Sequence, residues 1–390
     1  MALSKKIENI VIGLDPKFNQ LKILRNNGKN HKNLSIEHLA YEPDFYKDNL
    51  FELLDNLISY HLKYFPAHTA DAFVVLPNHF VFTQTITLPI MPAARLNLTL
   101  KAELERVCPK SEEYSIATTL IHKSKTNVVY FAAMVKQSIL EACIKACKKN
   151  GLNLRGISYS ANCTLNSFLA LSEGKLQDFM FLDIKETEST LIYAAANKTS
   201  SFFTLPIGQN FLSAEEINVL ANFKNVSDAQ KDVFNALGAN AYNITFSGAT
   251  VAEIEKNAFS YFKSTFLNTQ KQQEEMFFKE NPTISALSAN FSVMLRYVAE
   301  TAEYVNRLVQ TPPRGIVVNL PKHLQGAISN QKNDVPISLL KAHLTEKCLI
   351  SDYLDLYGAL FMNTYNKTQN FDLKIKSTHH KKQENKKADK

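Results

Sequence analysis

The chain has 390 residues, 45% hydrophobic and 21% charged, with 25 Phe, 15 Tyr and no Trp, which excludes disordered, collagen-like and low-complexity classes. Its net charge is +7, but residues 372–390 carry seven lysines against three acids and so supply +4 of it. The body therefore lacks the concentrated basic face of a nucleic-acid groove, no nucleic-acid partner is expected, and length alone predicts two or three domains.

Residues 10–15 form a strand-like run. A polar turn and a second candidate strand at 21–24 follow, which predicts a hairpin with a buried first strand. Leu50, Leu53, Leu54, Leu57, Ile58, Leu62 and Phe65 share one side of a helix, and residues 72–76 read as a strand. Residues 80–88 alternate as a strand punctuated by Pro89 and Pro92. Leu96, Leu100, Leu104 and Val107 then give a helix ending at Pro109. Residues 114–121 and 127–135 read as paired strands. Ser138 with Glu141 fits a capping box for a helix that stops at Asn150 and Gly151, where glycine suits a left-handed cap.

A strand at 154–159 and a helix at 161–171 come next. Strands at 179–184, 190–195 and 201–205 repeat the opening of the first half, a weak internal duplication of strand, polar turn and strand. Ser213 with Glu216 and Ser227 with Gln230 begin helices, and Ile284, Leu287, Phe291, Leu295, Val298, Ala302, Val305 and Val309 trace one long amphipathic helix. Beyond Pro312 and Pro313 lie a strand at 315–320 and a helix from about Lys322. Residues 270–280 fit either an exposed helix or a loop.

Five scattered cysteines, Cys108, Cys143, Cys147, Cys163 and Cys348, form no C-x-x-C pair and favour a reducing compartment. Cys143 and Cys147 sit four apart on a helix and read as core, since no second ligand pair has zinc spacing. The N-terminal apolar run is too short for a signal peptide, and no stretch approaches the ~18 apolar residues of a membrane span. A cytoplasmic chain is expected. The nearest approach to a phosphate loop, Gly151 to Ser158, has Ile157 in place of the phosphate lysine and leads into a strand. No catalytic residue and no metal ligand is assigned.

One constellation stands above background. The run Gly13-Leu14-Asp15-Pro16-Lys17-Phe18-Asn19-Gln20-Leu21-Lys22 resembles the first phosphate turn of the actin-like ATPase superfamily. Phe181-Leu182-Asp183-Ile184-Lys185-Glu186-Thr187-Glu188-Ser189-Thr190 resembles the second, in the duplicated half. Between them, Val75-Leu76-Pro77, Ile86-Thr87-Leu88-Pro89-Ile90-Met91-Pro92, Ala102-Glu103 and Val107-Cys108-Pro109 are similar to PilM-type pilus assembly proteins, relatives of the FtsA-type division proteins. The run Phe203-Thr204-Leu205-Pro206-Ile207-Gly208 is similar to the strand and turn after their second phosphate element. The resemblance spans about residues 7–365.

It implies an α/β, actin-like (ribonuclease H-like) duplicated fold of two lobes, mixed sheets flanked by helices, with an inserted subdomain in the first lobe. The expected division is 1–88, first core subdomain; 89–153, insert; 154–176, return to the first core; 177–365, second lobe with a helical subdomain at about 213–311; and 366–390, a basic disordered tail.

The departures bear on function. Lys17 and Lys185 stand where the family has glycine, and Val318-Asn319-Leu320-Pro321 stands where it has paired glycines. Glycine permits positive φ and lets backbone N–H groups approach phosphate. A β-carbon at a left-handed turn costs on the order of 1 kcal/mol or more. Asp15, Lys17, Lys22, Asp183 and Lys185 are thus the candidate residues of a vestigial nucleotide cleft. Each also has a plain reading: aspartates accept backbone hydrogen bonds at strand ends, and a lysine ending a hairpin strand needs no ligand. No cofactor is expected, ATP with magnesium being what an intact cleft of this family takes.

By the resemblance the leading function is a cytoplasmic scaffold of a type IV pilus or type II secretion-like machine. It would hold the cytoplasmic N-terminal segment of a membrane-anchored PilN-type partner between the first core subdomain and the insert, touch the membrane only through that partner, and have homo-oligomerisation open to it. Two alternatives stay open: an ATP-hydrolysing switch of the same fold, and an FtsA-like division tether. The lysine-rich tail, with His379 and His380, has no apolar face for insertion.

Overall fold

The computed structural model describes residues 8–26, 34–42, 45–67, 70–108, 111–172, 178–186, 188–195, 198–205, 208, 209, 212, scattered positions between 291 and 303, 313–320, 324, 337–340 and 350–373. Strands β1 (Glu8–Asp15), β2 (Gln20–Asn26) and β3 (Leu34–Ala40) form an antiparallel meander. Helix α1 (Phe45–Tyr64) leads to β4 (Ala70–Leu76), which pairs parallel with β1. The chain leaves this sheet for β5 (Phe82–Pro89), α2 (Ala93–Val107), β6 (Tyr114–Lys123) and β7 (Asn127–Lys136). It returns through α3 (Gln137–Lys149) to β8 (Asn153–Tyr159), parallel to β4. Helix α4 (Ser160–Leu171) carries it to a second meander, β9 (Phe179–Ile184), β10 (Ser189–Ala195) and β11 (Lys198–Leu205). Strands β12 (Ile316–Asn319) and β13 (Ile337–Leu339) and the short helix α5 (Leu354–Ala359) follow, and short 3-10 turns lie at Asn78–Phe80, Ser111–Glu113, Ile350–Tyr353 and Lys367–Gln369.

The two five-stranded sheets have one plan. Their orders, β3-β2-β1-β4-β8 and β11-β10-β9-β12-β13, each place a three-strand meander beside two parallel strands. The inner strands β1, β4, β9 and β10 are nearly continuous apolar runs, as strands covered on both faces must be. Helix α4 packs against strands of both sheets, and ten of its residues are buried, polar Asn162, Thr164, Asn166 and Ser167 among them. Asn162 donates to Ser158 Oγ at 2.9 Å, Ser167 donates to the Leu354 carbonyl, and Asn366 donates to Asn166 Oδ1 at 3.0 Å, whereas Asn166 Nδ2 has no hydrogen-bond partner. Helix α5 crosses α4 at Gly358, where a Cβ would lie 1.7 Å from the Cys163 carbonyl oxygen. Only glycine fits that crossing.

The insert is a three-stranded sheet, β5-β7-β6, with α2 on one face. Strand β7 alternates between two cores: Val128, Ala132 and Met134 join Ile86, Leu88, Leu100 and Leu104, whereas Val129, Phe131, Ala133 and Val135 face the main core. Among the described residues no helix is long and apolar enough to cross a membrane.

Several expectations are redrawn. The insert begins with β5 at Phe82 rather than at 89, because β5 pairs with β7 along its whole length. Pro89 ends that strand and marks no boundary. Helix α3, inside the expected 89–153 insert, packs on α1 of the first core. The second lobe does not run to 365, since α5 packs on α4 and contacts β1 and β4. Nor does the tail begin at 366: Gln369 and Phe371 are buried, and the Phe371 N–H donates to the Ile157 carbonyl at 3.0 Å. Lysine-rich composition starts only at Lys374.

The Ser138 capping box does not form. Helix α3 starts at Gln137 with Lys136 as its N-cap, so Ser138 already lies within the first turn. Gly151, at φ +70°, does close that helix. The expected helices begun by Ser213 and Ser227 and from about Lys322, the segment 270–280, Cys348, most of the helical subdomain at 213–311 and residues 374–390 lie outside the described residues.

Candidate functional site

At the carboxyl ends of β1, β4, β9 and β12, the β1–β2 turn and the β9–β10 turn open onto one cavity of about 760 Å³. Crevices at such strand ends are the usual ligand sites of α/β sheets. Asp15, Lys17, Lys22, Asp183 and Lys185 all line it, so the fold brings together every residue singled out from the sequence.

Each of the three lysines meets a carboxylate. Lys22 Nζ lies 2.5 Å from Asp15 Oδ2, across the β1–β2 pair. Lys17 reaches over to the other turn and contacts Glu188 Oε2 at 2.9 Å. Lys185 is 3.2 Å from Asp355 Oδ2, which also accepts from Ser160 Oγ at 2.8 Å. Glu188, Asp355 and Ser160 were not singled out from the sequence. Glu188 stands inside the second turn, but Asp355 comes from α5, whose approach no local pattern encodes.

The turns are not strained at the lysines. Among the described residues positive φ falls at Asn19, Asp178, Asn366 and Gly151. Lys17 and Lys185 are not among them, which corrects the expected left-handed penalty: Asn19, at φ +50°, takes that position in the first turn. In the second turn the backbone closes on itself. The Lys185 N–H donates to the Glu188 carbonyl at 2.9 Å, and the Lys185 carbonyl accepts from the Gln209 N–H at 2.9 Å. Gly208 packs so tightly there that a Cβ would fall 2.5 Å from Glu188 N and Lys185 O.

Asp183 sits at the floor, 2% exposed, and Asn319 at the end of β12 donates to its Oδ1 at 2.8 Å. Its Oδ2 has no hydrogen-bond partner. Burial raises its pKa, against the opposing pull of Lys185 and Asn319. Burial also acts to raise Asp355, yet Lys185, Lys22 and Ser160 outweigh it and hold that carboxyl below its ordinary value. Lys185 follows the same logic with opposite sign: desolvation opposes its charge, and Asp355 and Asp183 more than restore it. Burial lowers the pKa of both histidines on the lining, His38 and His79. No group of three or more His, Cys, Asp or Glu among the described residues is arranged to hold a metal ion.

No family model matches the chain, and no curated protein matches it by sequence. It is similar to a solved structure described as a PilM–PilN type IV pilus biogenesis complex, with TM-score 0.51 and 14% identity over 91% of this chain and 98% of that one. Looser likenesses are the cytoplasmic domain of EpsL, an inner membrane component of the type II secretion system of Vibrio cholerae (TM-score 0.35, 13% identity, 56% of this chain and 76% of that one), and the ethanolamine utilization protein EutJ of Carboxydothermus hydrogenoformans (0.37, 11%, 91% and 89%). The likeness to the PilM–PilN structure establishes the fold: α/β and actin-like, two lobes with mixed sheets flanked by helices.

Proposed function

We propose that this chain is an actin-fold scaffold of a type IV pilus or type II secretion-like assembly machine, peripheral to the inner face of the membrane, which binds the cytoplasmic N-terminal segment of a PilN-type membrane-anchored partner. The observation that carries this reading is the match to the PilM–PilN structure over 91% of this chain and 98% of that one. The insert also offers a place for a peptide. Strand β5 is one of its sheet edges, Ile90 just past its end is exposed, and so is Leu98 on α2. An extended segment adding to an edge gains register from main-chain hydrogen bonds and affinity from apolar anchors.

In this reading the cleft is architecture and not a nucleotide site. ATP with magnesium fits the lining poorly: the three ammonium groups each lie against a carboxylate, and the Lys185 amide is engaged within its own turn. A phosphate would have to displace those partners before gaining a contact.

The test is calorimetric titration of the full chain with a synthetic peptide of the partner's cytoplasmic N-terminus. Saturable binding, weakened by Leu98→Asp or Ile90→Asp in a protein that still unfolds cooperatively, is the expected result. Absence of binding to the peptide, or binding indifferent to both substitutions, would remove the groove from the account.

A further inference from the structure

The cavity lining has an unbalanced charge. Six carboxyl groups, those of Asp15, Asp183, Glu186, Glu188, Asp352 and Asp355, face three lysines. The lysines pair with Asp15, Glu188 and Asp355, which leaves Asp183, Glu186 and Asp352. Asp183 lies at the floor with Oδ2 unpartnered, whereas Glu186 and Asp352 are exposed at the mouth. A cleft lined by one residual sign focuses the field and concentrates ions of the opposite sign. A compact divalent ion lacks a ligand set among the described residues. The residual acids are spread from floor to mouth, in a cavity sized for a small molecule.

We propose that this cleft binds an organic polycation of the polyamine class, one ammonium group donating to Asp183 Oδ2 and the others extending toward Asp352 and Glu186. Separated ammonium groups on a flexible chain meet separated carboxylates one at a time, which a single metal ion cannot do. A cation beside Asp183 favours its charged form by Coulomb attraction, opposing the burial that raises its pKa. The inference rests on the reading of the cleft as closed to polyphosphate.

Calorimetry and thermal unfolding of the full chain with spermidine test it, with magnesium chloride at matched ionic strength and magnesium ATP as parallel arms. Expected are saturable binding of spermidine near one per chain, a rise in Tm that magnesium chloride does not reproduce, and affinity about tenfold weaker in Asp183→Asn and several-fold weaker in Asp352→Asn. Asp352 is exposed, so its variant reports on the site even where Asp183→Asn perturbs folding. No saturable spermidine binding, or binding in both variants as tight as in the unsubstituted chain, overturns the proposal. If neither spermidine nor ATP binds, the closed-cleft reading stands and the polycation falls. If ATP alone binds, both fall.

Discussion

The two turns facing each other across the cleft occupy equivalent places in duplicated sheets, and each carries a lysine, yet they are held in different ways. Lys17 is substantially exposed, and its one carboxylate partner, Glu188, belongs to the opposite lobe. Lys185 is half-buried, fixed by Asp355, with its own amide and carbonyl both engaged. The first turn is therefore a surface latch between lobes, and the second is part of the packed interior. The difference traces to Asp355: α5 contacts β1 and β4 of the first lobe as well, but its carboxylate pairs with Lys185 of the second turn and not with Lys17. Duplication preserved the sheet plan and left turn chemistry free to diverge.

Removing the support of the second turn should have the largest effect. Gly358→Ala forces a methyl group onto the Cys163 carbonyl and pushes α5, and Asp355 with it, off α4. A loss of about 3 kcal/mol or more is expected in urea unfolding. Lys185→Met comes next. It leaves Asp355 with Ser160 as its hydrogen-bond partner in the cleft, and because the lysine side chain is one-third exposed the cost should be about 1–2 kcal/mol.

The pH dependence separates the two carboxyls in sign. Asp355 is depressed when folded, so its contribution is present above its unfolded value and is lost as pH falls through the lower folded one. Lys185→Met should therefore lose more stability at pH 7 than near pH 2. Asp183 is raised when folded, so its ionisation costs stability as pH rises through the folded value. Asp183→Asn should flatten that decline in a series of Tm measurements from pH 4 to pH 8, values chosen to bracket the ordinary carboxylate range and beyond. A steeper decline in the variant would mean that the Asn319 bond, rather than burial, governs this carboxyl.

The smallest effect belongs to the first turn. Lys17→Ala should cost about 0.5 kcal/mol or less, and high salt should erase the difference from wild type. If Lys17→Ala proves as costly as Lys185→Met, the contrast between latch and interior fails.

Much of the fold was legible because its signals are local. Period-two strands, the α1 and α2 stripes, the Gly151 stop and the repeated strand-turn-strand units are written in consecutive residues. Strand β3 was not singled out, being an edge strand of mixed polarity with several partly exposed positions, and β13 is only three residues long. The α5 segment is an intermittent apolar stretch whose role depends on contacts with residues nearly 200 positions away, such as Ser160 with Asp355. The site was legible as a set of five lysines and aspartates on two turns. Their partners were not, because a carboxylate's choice of lysine is settled by how the lobes close. The supposed left-handed strain was misplaced for a related reason: the residue with positive φ is Asn19, two positions on from Lys17.

The central claim is that carboxylates already hold the ammonium groups a nucleotide would need. Isothermal titration of the full chain with magnesium ATP is its most direct test. The account predicts no saturable heat up to millimolar nucleotide. Stoichiometric binding with a Kd below about 100 μM, lost in Asp15→Ala, would contradict it.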